Sequence, residues 1–203
     1  STATISVLAR KSRKASEQEA TDYVAAMLLA VSMMFLRFMI LILIFSREIF
    51  LSIYPYLLTM AVVAAIVAWF IHSRQKRPED QPAETEEDDS SNPLEFKVAL
   101  IFAVLFVIFT FLTHYTLVYA GTGGLNLLSF VSGFSDITPF ILNLLQNTGS
   151  VAALIITACS MQAIISNIMV NMFYALFFAG KGSKLRPWIL GGFGVVIACN
   201  LVL

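Results

Sequence analysis

The chain has 203 residues, 58% of them hydrophobic and only 13% charged, with 13 Lys plus Arg against 13 Asp plus Glu. A soluble domain carries about 25% charged residues, so this composition cannot cover a water-facing surface and argues against a soluble enzyme. Zero net charge also argues against a nucleic-acid partner, because no basic face is available to neutralise phosphates.

In chain order, Ser1 to Lys14 reads as a short helix with a basic end. The chain starts at Ser1 without Met, which is expected of a fragment or processed form whose N-terminal membrane domain is missing. A bilayer core of about 30 Å needs roughly 20 apolar residues as helix. Five stretches approach or meet that length: Tyr23 to Ser46, Ile53 to Ile71, Phe96 to Ala120, Val151 to Gly180, and Trp188 to Leu203. A sixth, Leu125 to Asn147, is long enough but is interrupted from Ser132 to Pro139. The fold class expected is therefore an all-α integral membrane protein. It has about five to seven hydrophobic helical segments, one or two of them broken or re-entrant. The lipid bilayer is its first partner, and a homo-oligomer is left open.

Between the second and third spans, Ser73 to Pro93 begins with Arg74, Lys76 and Arg77 and then turns acidic from Glu79 to Asp89. With three prolines and little to bury, it is expected to be a solvated, disordered cytoplasmic loop. The division that follows is 1–72 as a first membrane repeat, 73–93 as the loop, and 94–203 as the third span and a second repeat.

Lys and Arg in short loops set orientation. The basic clusters are Arg10 to Lys14, Arg74 to Arg77, and Lys181 to Arg186, while the opposite connectors carry only Arg47 with Glu48. If 125–147 spans fully, the third cluster falls on the side opposite the first two. If it dips in and returns, all three share one side, and the charge rule prefers that arrangement.

Two segments also look alike. Ser1 to Leu8 resembles Ser135 to Leu142, and the spans that follow match at Val24 to Met27 with Val151 to Leu154. The two spans run in opposite directions under the charge-derived topology. That is an inverted repeat, a plan used by secondary transporters, whose sites form near the midplane at broken helices.

Asp136 is the sharpest single signal. A carboxylate in an apolar segment costs about 2.5–3.5 kcal/mol on insertion scales and must face protein or water. Ser135 or Asp136 suits an N-cap, with Thr138 and Pro139 in the first turn; the bland alternative is a cap and nothing more. Ser1, Thr2 and Thr4 would be the hydroxyl counterparts in the first repeat. Arg37 lies about fourteen residues into its span, cannot be neutralised, and is expected to pair with Asp136. Gln162, Ser166, Asn167 and Asn171 bring polar groups into the long fifth span, either as interhelical hydrogen bonds or as the lining of a polar path. His114, beside Tyr115, reads as interfacial. Cys159 and Cys199 sit in apolar runs and read as small buried hydrophobes. No nucleophile–base pair, Cys/His metal spacing or phosphate loop stands out, so no catalytic residue, metal or cofactor is expected.

Four segments together resemble a known family. They are the opening Ser-Thr-Ala-Thr-Ile-Ser-Val-Leu-Ala-Arg-Lys-Ser, Arg37 in the next span, Asn92-Pro93-Leu94-Glu95-Phe96-Lys97, and Ser132-Gly133-Phe134-Ser135-Asp136. In this order they resemble the bacterial membrane domain of unknown function numbered 4010, typically found after an MgtC/SapB-type membrane domain. The resemblance implies a multi-pass protein of the bacterial inner membrane and brings no substrate with it. Two functions are carried forward: a secondary-transporter-like domain moving a small ion or polar solute, and a regulatory or scaffolding membrane protein without a transport path.

Overall fold

The computed structural model describes residues 2–12, 17–73, 93–147, 151–179 and 185–202. All regular structure among them is helical: α1 (Thr2–Ser12), α2 (Glu17–Phe45), α3 (Arg47–Ser73), α4 (Pro93–Ser132), α5 (Ile137–Gln146), α6 (Ala153–Ala179) and α7 (Arg186–Val202). Four stretches are long and apolar enough to cross a membrane: Thr21–Phe45, Arg47–Ser73, Leu100–Ser132 and Ala153–Ala179. The protein is an all-α membrane protein.

α2 and α3 form a tight antiparallel hairpin. Ser46 makes the corner: its amide donates to Ile42 O at 2.8 Å, its carbonyl accepts from Phe50 N at 3.0 Å, and its hydroxyl accepts from Ile49 N at 3.4 Å. One residue thus closes α2 and supplies the side-chain acceptor that starts α3. Along the hairpin, Ser32 Oγ donates to Ala61 O at 2.8 Å, and His72 Nδ1 meets Asp22 Oδ1 at 2.9 Å at its open end. Buried Ala61, Ala64 and Ala68 keep this face of α3 thin, which lets helix backbones approach closely in an apolar solvent.

α4 is not one rod. Gly121 takes φ 58° and ψ −148°, a region that is essentially closed to side chains, and the chain doubles back there. Two contacts prove the reversal. A Cβ built on Gly124 would lie 2.7 Å from Thr116 Cγ2, although residues eight apart in a straight helix are about 12 Å apart along the axis. Phe109 in the first arm also meets Phe140 of α5, with ring centroids 5.7 Å apart. The glycine-rich stretch Gly121 to Gly124 thus turns on the single residue Gly121, with helix resuming at once.

The arm 122–132 runs parallel to α6, since Cys159, Ser166 and Asn167 reach Asn126, Phe130 and Gly133 in turn. After a break at 133–136, α5 turns back. Its Phe140 and then its Asn143 lie against Phe109 and then Thr110 of the first arm. The segment 122–146 thus dips into the bundle and returns to the end from which it started.

At the opposite end of the bundle, Arg10 of α1 stacks over the Phe178 ring at 4.5 Å. Asp22, His72 and the start of α7 lie at this end too. α7 passes close to α2 and α3, where a Cβ on Gly192 would meet Leu28 at 2.6 Å and Ile71 at 3.5 Å. From this basic end α2, the first arm of α4 and α7 run away, while α1, α3 and α6 run toward it.

Candidate functional site: a polar break inside the bundle

Pro139 and Asp136 decide the local structure. Proline cannot donate from its backbone and is tolerated only in the first helical turn, so a helix running through this sequence must restart just before it. Asp136 is the N-cap of α5, at φ −81° and ψ 114°. Its Oδ1 accepts from Thr138 N at 2.9 Å and from Thr138 Oγ1 at 2.7 Å. The Thr138 hydroxyl in turn accepts from Arg37 Nη2 at 3.2 Å.

The expected direct pairing of Arg37 with Asp136 is thereby corrected. Among the described residues the only salt bridge is His72–Asp22, and Thr138 stands between Arg37 and Asp136. The reason is geometric: Asp136 folds its carboxylate onto the first turn of its own helix. The guanidinium then reaches the hydroxyl that the carboxylate already holds. Thr138 is buried, whereas Arg37, Ser135 and Asp136 are exposed.

α6 holds the opened backbone. Asn167 Nδ2 donates to Gly133 O at 3.1 Å and to Ser135 O at 3.4 Å, and Ser166 Oγ donates to Phe130 O at 2.7 Å. Asn171 Nδ2 donates to Asn167 Oδ1 at 3.1 Å. Gly133 permits this close seat, since a Cβ there would lie 2.3 Å from Ser166 Oγ and 2.8 Å from the Asn167 backbone nitrogen. Ser135 itself donates to Ser132 O at 3.1 Å, so its hydroxyl closes the preceding turn.

The sequence candidates divide accordingly. Arg37, Ser135, Asp136, Thr138 and Asn167 come together at the break. Gln162 is half-buried on α6 and makes none of these contacts. Thr4 lies exposed on α1. Ser1 and the side chain of Thr2 lie outside the described residues. His114 is exposed and edge-on to Tyr115, with centroids 5.9 Å apart. One residue was missed: Asn143, buried in α5, donates to Thr110 Oγ1 of α4 at 2.8 Å. The signal for it was an amide within the apolar run Phe140 to Leu145, four residues before Asn147.

The fold and the break define a class: an all-α membrane protein whose intramembrane polar groups collect where a re-entrant helix pair opens. The chain belongs to the family described as Domain of unknown function (DUF4010), whose model matches residues 1–179. It is also 25% identical over 114 residues to an uncharacterised protein of Aquifex aeolicus (strain VF5), an alignment covering 55% of this chain and 50% of that protein. The chain thus spans about half the length of this curated relative. No solved structure matches it.

Proposed function

We propose that this is a secondary-transporter-like domain that moves a small ion or polar solute past the break between α4 and α5. The observation that carries the proposal is the Arg37–Thr138–Asp136 relay, which joins α2 to the start of α5 through the buried Thr138. Charged groups at such depth must face water or protein, and here both charged ends of the relay are left uncovered by the chain. A water-filled path past the break would solvate them.

The helix directions support the same reading. α1 and α5 run oppositely, as do α2 and α6, and α3 and α7, which pairs the two parts of the chain as inverted repeats. With the basic end facing the cytoplasm, the break lies well within the membrane of a bacterial inner-membrane protein. Asp136 and Pro139 between them occupy or remove the free N–H groups at the second and third positions of α5. The helix start therefore offers an anion little, and the side chains set what binds.

A second reading has one observation in its favour. Phe134, two residues before Asp136, is 60% exposed, as it would be on a surface that a membrane partner covers in a scaffolding protein. Ser135→Cys, in a background with Cys159 and Cys199 replaced, separates the two. A water-lined path makes this thiol reactive to a small charged thiosulfonate reagent in membranes, because the thiolate forms only in water. A thiol that stays unreactive at neutral and alkaline pH would overturn the transport proposal and favour the scaffold.

A further inference from the structure

Asn171 on α6 is completely buried, yet its Oδ1 has no hydrogen-bond partner among the described residues. The orientation of this amide is fixed by its neighbours. Gly133 and Ser135 present carbonyl oxygens, which only accept, so Asn167 must turn its nitrogen to them and its oxygen to Asn171. Asn171 must then answer with its own nitrogen, and the atom left over is an acceptor. An unpaired buried acceptor forfeits the hydrogen bonds that water would have given it. Ser160 Oγ is a second buried oxygen without a partner. It sits eleven residues earlier on the same face of α6, about 16 Å along the axis, with Asn167 between the two.

We infer that Asn171 Oδ1 is a ligand atom for a small monovalent cation, the species this transport site takes; the inference rests on the transport proposal above. Three arguments set the chemistry. An acceptor calls for a donor or a positive charge, never an anion. The oxygens along this face of α6 are neutral, and no group of three or more His, Cys, Asp or Glu stands ready for a metal among the described residues; divalent ions favour carboxylate-rich cages or sites. The hydrogen bonds also all point one way. A positive charge at Asn171 Oδ1 polarises that amide, strengthens its donation to Asn167 Oδ1, and so strengthens Asn167's hold on the Gly133 and Ser135 carbonyls. Cation binding would tighten the break. Arg37 does not reverse the sign, since Asp136 balances it across Thr138.

The test is thermal unfolding of the purified full chain in detergent, titrated with lithium, sodium, potassium or ammonium chloride against choline chloride at constant ionic strength. The expected result is a saturable rise in Tm with at least one of these cations, abolished in Asn171→Leu. Should Asn171→Leu fail to fold, Asn171→Gln keeps an amide but displaces its oxygen, and it should weaken the apparent affinity on the order of tenfold. Equal stabilisation of wild type and both variants would overturn the inference, as would no response beyond choline, which is the outcome if a water alone occupies Oδ1. Ser135→Cys reactivity separates the two failures: a reactive thiol without a cation response sinks the cation and leaves the transport path standing.

Discussion

Thr138 does two things with one oxygen: it donates to Asp136 and accepts from Arg37. A relay of this kind couples two charges without bringing them into contact, and the coupling should depend on the hydroxyl. Arg37→Ala and Asp136→Asn are each expected to destabilise the protein, with the double variant recovering part of the loss, an interaction on the order of 1 kcal/mol. Asp136→Asn is the right partner because the amide oxygen can still cap α5. In a Thr138→Val background the two losses should become additive, as read by Tm or chemical unfolding. Coupling that survives Thr138→Val would mean that Arg37 and Asp136 interact directly. At this scale the sequence was half legible. Two charges in apolar runs announced themselves and Thr138 stood beside Asp136 as a candidate, but its place between the two charges was not legible, because a threonine in a first helical turn looks the same whether or not a second helix reaches it.

Helix boundaries show the same division at the scale of elements. The break before α5 was readable from Asp136 and Pro139, a cap and a first-turn proline whose demands coincide. The reversal in α4 was not, because Gly121-Thr122-Gly123-Gly124 marks a connector without saying which residue turns. The structure puts the whole turn on Gly121. Gly121→Ala forces a side chain into that backbone region and should cost roughly 1–3 kcal/mol. Gly123→Ala adds a Cβ with nothing within 4 Å and should leave Tm nearly unchanged. Equal effects from the two substitutions would place the turn elsewhere. Asn143 belongs at this scale as well: its bond to Thr110 fastens the returning half-helix to the arm it runs beside, a long-range pairing that no local pattern encodes.

For the whole molecule, composition alone decided that the protein lives in a membrane, and the loop charges favoured a re-entrant segment over a span. Three connectors gather their lysines and arginines at one end only if 122–146 turns back. The contacts of α4, α5 and α6 make that turn independently, through Thr116 against Gly124 and Phe109 against Phe140. What occupies the break lies beyond such patterns, because an orphan acceptor on Asn171 exists only once Asn167 is already committed to two carbonyls.

The central claim is that α5 returns to the side from which the second arm of α4 set out. Its most direct test is labelling of single cysteines by a membrane-impermeant reagent in intact cells, with Cys159 and Cys199 replaced. The positions are Thr122, Ala152, Ser73 and Arg186, all exposed. Labelling of Thr122→Cys and Ala152→Cys together, with Ser73→Cys and Arg186→Cys protected until the cells are opened, is the predicted result. Labelling of Thr122→Cys but not Ala152→Cys would make 122–146 a true span and contradict both the re-entrant pair and the inverted repeat.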